Sequence, residues 1–177
     1  MKTVWKIDLS AVAPKWKEID ACPGGGRMLS VAAGLDGAFW LVGGVDLIRK
    51  GEKIERRYLK DAYRYDPEKG WKRIADLPHP VVAAPTPAPA IASGFTILGG
   101  DDGSQVGVDP DKHRGFSTKV LRFDARANKW AEAGELPAPR VTVPCVPWNK
   151  AWVVPSGEMC PGIRSPEVWA LAPGKKE

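Results

Sequence analysis

Apolar and polar residues alternate along most of this chain with a period of two, and the alternation breaks at regularly placed turn residues. The stretches "VWKIDLS…KWKEI" (Val4 to Ile19), "AYRYDPEKGWKRI" (Ala62 to Ile74) and "VLRFDARANKWAEA" (Val120 to Ala133) share one layout. Each runs as an alternating segment to an Asp (Asp8, Asp66, Asp124), turns, and reopens with a Trp (Trp16, Trp71, Trp130). Alternation is the period of a half-buried strand, and Asp with Pro or Gly supplies turn chemistry. The layout predicts three equivalent hairpins.

A second unit lies between them: "RMLSVAAGLDGAFWLVGG" (Arg27 to Gly44), "APTPAPAIASGFTILGG" (Ala84 to Gly100) and "RVTVPCVPWNKAWVVPSG" (Arg140 to Gly157). Each reads as a strand, a small turn and a very apolar strand ending at Gly-Gly or Ser-Gly. Strand-end glycines permit backbone angles denied to other residues and let neighbouring backbones approach closely. Together the units predict four strands per roughly 50 to 60 residues, the signature of β-propeller blades.

A Gly pair after the second strand, an aromatic before the third strand's Asp and a Trp opening the fourth strand resemble kelch repeats. That resemblance implies an all-β, kelch-type β-propeller of four-stranded antiparallel blades, each first strand lining a central channel. The implied blades are strands three and four at about 3–20, full blades at about 27–76 and 82–134, and strands one to three of a last blade at about 140–172. The sum is close to three blades, and a closed ring needs at least four. The chain is therefore expected to be half of a six-bladed ring completed by a second copy as a homodimer, or a portion of a longer propeller.

Composition changes this picture little. The 177 residues are 44% hydrophobic, enough for one domain with a real core, and the 19 Gly and 17 Pro are scattered as turn punctuation. A net charge of +5 mildly favours anionic ligands. The densest basic run, "RKGEKIERRYLK" from Arg49 to Lys60, contains two Glu and no comb of aromatic residues for stacking bases, so nucleic acid is not an expected partner. It reads as a solvated charged loop. Cys22, Cys145 and Cys160 are sparse and odd in number, and read as free thiols rather than a disulfide framework or a metal site. The first residues carry no apolar signal region and no run is long enough to span a membrane, so the chain as given is expected to be soluble and cytoplasmic.

The candidate chemistry lies in "GEMCPGIRS", Gly157 to Ser165. This run resembles the Gly-Glu-x-x-Pro-Gly-x-Arg-Ser/Thr motif of the N-acetylneuraminate epimerase family, kelch-type sialic acid mutarotases. "RYLKDAYRYDPEKGWKRIADLP", "LGGDDGSQVG" and "PAPRVTVPCVPW" are similar to the C-terminal half of such proteins. The resemblance implies activity residues at Glu158 and Arg164 and interconversion of the anomers of an acidic sugar, with no cofactor and no metal. The residues support it independently. The Pro161-Gly162 turn brings Glu158 and Arg164 to one rim, where a carboxylate can act as base and an Arg can hold the sugar's carboxylate. The plainer expectation is an ion pair that pins the hairpin.

Further candidates for substrate binding are Arg27 and Arg140, which open equivalent strands, Asp101 and Asp102 after a Gly pair, and Ser165 in the motif. For each arginine the structural alternative is bonding to nearby loop carbonyls, and for the aspartates an ordinary turn. His113 on the same loop can titrate near neutrality, whereas His79 reads as a loop residue. The repeated tryptophans read as core and Cys160 as an inert thiol. Two other function classes fit the sequence: a non-catalytic module binding glycans or proteins, and a half-propeller whose property is assembly.

Overall fold

The computed structural model describes residues 3–172. Its strands form successive small antiparallel sheets. The first sheet is a two-stranded hairpin of β1 (Val4–Lys6) and β2 (Lys17–Ile19). The next is a full blade, β3 (Val31–Leu35), β4 (Ala38–Val42), β7 (Ala62–Asp66) and β8 (Gly70–Ile74), in that spatial order. Between β4 and β7 a separate hairpin protrudes, β5 (Val45–Lys50) with β6 (Lys53–Tyr58). The second full blade is β9 (Ala90–Ile91), β10 (Gly94–Gly100), β11 (Ser117–Asp124) and β12 (Lys129–Glu135). The last sheet has three strands, β13 (Val146–Trp148), β14 (Ala151–Pro155) and β17 (Val168–Leu171), interrupted by the hairpin β15 (Glu158–Cys160) with β16 (Ile163–Arg164).

The three predicted hairpins are present, with Asp66 and Asp124 accepting backbone N–H bonds in their turns. First strands differ from expectation. They start at Val31, Ala90 and Val146, several residues later than the expected blade openings at about 27, 82 and 140. The preceding residues instead build the connection between blades. Leu29, Ala83 and Thr142 all adopt left-handed backbone, with φ of 55°, 57° and 56°. The Ala83 N–H donates to the Leu29 carbonyl and the Thr142 N–H to the Ala83 carbonyl, each at 2.8 Å. One hydrogen-bonded line thus steps from blade to blade.

A second line repeats farther out. The Trp71 indole donates to the carbonyl of Asp20, just beyond β2, at 2.7 Å, and the Trp130 indole to that of Ala75, just beyond β8, at 2.8 Å. Trp16 holds the equivalent place in the first sheet, where no earlier blade is described, and is 63% exposed. Between these lines the blade faces pack. Trp40 stacks near Phe95 and Phe123, each at 5.6 Å between ring centroids, and Phe123 lies 4.7 Å from Trp130. Val31, Val42, Ile97 and Leu121 fill the same core. A smaller cluster of Leu98, Val120, Cys145 and Val154 joins the second full blade to the last.

Two sheets are incomplete relative to β3-β4-β7-β8. Among the described residues β1 pairs only with β2, and β17 only with β14, so each leaves one edge open.

Replacing Ala83 by Pro removes the N–H of the inner line and is incompatible with a φ of 57°. It is expected to cost about 3 kcal/mol or more, read as a fall in urea midpoint, while Ala83→Gly stays within about 1 kcal/mol of the parent. Trp130→Phe keeps a six-membered aromatic ring but loses the indole hydrogen bond and some packing, for an expected loss of about 1 kcal/mol or more.

Candidate functional site

The strand-end glycines turn the chain at the centre of each blade. Gly43 and Gly44, Gly99 and Gly100, and Ser156 and Gly157 all have positive φ. A Cβ on Gly43 would sit 2.4 Å from the Val81 carbonyl oxygen, and one on Gly157 2.8 Å from Arg140 Cδ, so these positions admit no side chain without movement. The residue after each pair is Val45, Asp101 or Glu158, and each is bridged antiparallel to Met28, Val82 or Val141. Three successive blades therefore present equivalent positions to one rim. A cavity of about 290 Å³ lies there, lined by Arg56, Tyr58, Asp101, Phe116, Thr142 and Glu158 among others. On the other side of the Leu29–Ala83–Thr142 line is an apolar hollow of about 320 Å³ that includes Ser30, Ala84 and Val143.

Glu158 and Arg164 are register partners in β15–β16, as the motif predicts. The Glu158 carboxylate accepts the Gly162 N–H at 2.7 Å, which ties it to the turn. Arg164 is exposed, and the ion pairs among the described residues include none between the two. The pinning ion pair is absent. Asp101 accepts the Tyr58 hydroxyl at 2.7 Å through Oδ2 and the Gly103 N–H at 2.9 Å through Oδ1. Burial pushes the Tyr58 phenol up to about 12, assisted by its bond to Asp101 and its charge, while the Arg56 cation works the other way. The loop after Asp101 is joined to the Glu158 hairpin by the Phe116 N–H, which donates to the Met159 carbonyl at 2.9 Å.

The other expected residues lie elsewhere. Asp102 turns away and accepts the Ser104 N–H at 2.8 Å, beside a polar groove that includes Gln105, His113 and Lys119. Burial works against its charge, but the Ser104 bonds and nearby His79 hold its carboxyl below the ordinary value. His113 accepts the Gly115 N–H at 3.1 Å in the form with Nδ1 unprotonated. Arg27 makes a two-pronged pair with Asp61, at 2.6 and 3.1 Å, and donates to the Gly43 carbonyl. Arg140 has no exposed surface; it donates to Ser165 Oγ at 2.9 Å and Glu167 at 2.6 Å and lies 3.9 Å above the Trp169 ring. Ser165 is buried in that same cluster. The side chains of Arg27, Arg140 and Ser165 are thus engaged by partners inside their own blades. Cys160 is half-buried, and burial pushes the Cys145 thiol up to about 11.

Arg56 and Tyr58 were not singled out by the sequence, where they fall in the charged run read as a loop. The signal was present: "VDLIRKGEKIERRY" alternates about a Gly turn, and two residues of one face reach the rim.

The fold is that of a kelch-type β-propeller, and the comparisons with known proteins agree with it. The chain aligns over 99% of its length with the solved structure of YjhT, at a TM-score of 0.77 and 21% identity, covering 60% of that protein. It is 29% identical over 198 residues to a protein named N-acetylneuraminate epimerase from Haemophilus influenzae, across 92% of this chain. Its counterpart from Salmonella arizonae is 27% identical across 94% of this chain. The chain spans about half the length of these curated relatives, 49% and 50% respectively. No protein-family model matches the chain.

Two outcomes are expected. Asp61 sits where burial opposes its charge, yet the Arg27 hydrogen bonds and charge leave its carboxyl below the ordinary 3.8. Asp61→Asn should cost about 3 kcal/mol at neutral pH, and the gap to wild type in urea denaturation should close as pH falls below the carboxylate range, where wild type loses the same charge. For Tyr58, with its folded value raised from 10 to about 12, the contribution to stability is complete below 10 and lost as pH rises toward 12. Ultraviolet titration of the phenols should therefore lose a late-ionising tyrosine in Tyr58→Phe.

Proposed function

We propose that this chain supplies the catalytic rim of a propeller that interconverts the anomers of a sialic-acid-like sugar. The observation that carries the proposal is the meeting of Glu158 with Asp101, Tyr58 and Arg56 around one open cavity of monosaccharide size. The relatives named N-acetylneuraminate epimerase support the substrate class. Glu158 serves as base and removes the proton of the anomeric hydroxyl. The ring C–O bond then breaks as the ring oxygen takes a proton from solvent, giving the open-chain ketone. Rotation and the reverse steps close the other anomer, so protons balance and no cofactor is consumed. Asp101 accepts hydrogen bonds from the sugar's hydroxyls beside Tyr58, and Arg164 adds positive charge at the outer lip, opposite Glu158 in register.

The ring around this site has to be completed, and a second copy is the simplest partner. In the full blades β7 and β11 are third strands, and β1 and β17 take the same place in the incomplete sheets. Two copies meeting end to end bring one third strand too many to each junction. We propose that the partner's β1–β2 hairpin takes the place of β17 on β14, which makes six four-stranded blades in all. Light scattering across a dilution series is expected to give twice 19.2 kDa; a well-folded monomer throughout would sink this closure.

For activity, exchange between the anomers of N-acetylneuraminate is followed by NMR. Wild type should accelerate exchange, and Glu158→Gln should lose about 100-fold or more of the acceleration. Equal acceleration by both would remove Glu158 from the mechanism. Binding without acceleration in wild type would favour the glycan-binding module instead.

A further inference from the structure

We propose that Arg56 is the specificity-determining residue of the site, the guanidinium that reads the carboxylate of the acidic sugar; this rests on the site assignment above. The β5–β6 hairpin is the reason. Strand pairing sets Val45 opposite Tyr58, Leu47 opposite Arg56 and Arg49 opposite Ile54, so these six share one face. On the other face both carboxylates are taken up, Asp46 by Arg57 at 2.7 Å and Glu55 by Lys50 at 2.5 Å. Arg56 has no carboxylate partner of this kind among the described residues. It faces the cavity with its charge unmatched.

The guanidinium also has a fixed neighbour. It lies against the Tyr58 hydroxyl, which is itself fixed by its 2.7 Å bond to Asp101. The Tyr58 ring rests on Gly103, where a Cβ would come within 2.8 Å of the ring atoms. Gly103 in turn donates its N–H to the second Asp101 oxygen. Hairpin, loop and side chains are thus clamped across the blade boundary. A planar guanidinium presented on such a support matches a carboxylate with two parallel hydrogen bonds, which an ammonium cannot do. The remaining candidate cations differ: Arg27 and Arg140 are already paired, and Arg164, exposed like Arg56, is absent from the cavity lining.

The test measures binding by calorimetry, for N-acetylneuraminate and for its carboxyl methyl ester, in wild type and in Arg56→Gln and Arg56→Lys. The ester keeps the sugar and removes the charge, so it also reports whether a variant retains its fold. Arg56→Gln should weaken the acid about tenfold or more and leave the ester within about twofold. Arg56→Lys should fall between. Equal loss of acid and ester in Arg56→Lys as well as Arg56→Gln would make Arg56 a structural residue and overturn the assignment. So would acid binding unchanged in Arg56→Gln. Wild type that binds neither ligand overturns the site itself, and the assignment with it, which is a different failure from either of these.

Discussion

Everything at the rim depends on a short backbone line in left-handed conformation. Leu29, Ala83 and Thr142 bond successively, N–H to carbonyl, from one blade to the next. Non-glycine residues adopt this conformation at a cost of about 1 kcal/mol each, and a β-branched Thr is an uncommon occupant. The cost is tolerated because the alternative is a set of buried backbone groups without partners, which is worse. Once the line is fixed, each following strand can start only after it. Each preceding glycine pair must then bend tightly enough to bring Val45, Asp101 and Glu158 to the rim.

The outer indole line has the same logic and explains which repeated tryptophans are anchored to a neighbouring blade and which is not. Trp71 and Trp130 are held by carbonyls of the preceding blade, whereas Trp16 occupies the same repeat position with nothing described before it. Periodicity gives all three the same role. Their environment depends on a neighbour the period cannot supply.

The same distinction sets what was legible in the sequence. Strand alternation, Asp turns and glycine pairs are local, and the blades follow from them. The register of Glu158 with Arg164 is local too, because a Pro-Gly turn determines it. What could not be read is which charges meet across distance. Arg27 and Arg140 open equivalent repeats and look like ligand-binding arginines, but Asp61 and Glu167 lie 34 and 27 residues later and take them up. Asp101 and Asp102 are adjacent and chemically equal. The turn sends the first to Tyr58 and the second to Ser104, a choice fixed by the strand bridge at Val82 and invisible in composition.

The charged hairpin shows the reverse error and its cause. A run with six Lys or Arg between Arg49 and Lys60 reads as solvated when its charges are counted together. Folded on a period of two, the run divides into a face where Lys50 and Arg57 are paired with carboxylates and a face that carries Arg56 and Tyr58 toward the cavity. Net charge hides this because it sums over both faces. For a protein whose proposed ligand is an anion, the informative quantity is the charge left on one face after its own neighbours have been paired. On this hairpin's cavity side Arg49 and Arg56 both lack an ion pair among the described residues, and it is Arg56, beside a tyrosine bonded to the next blade, that lines the cavity.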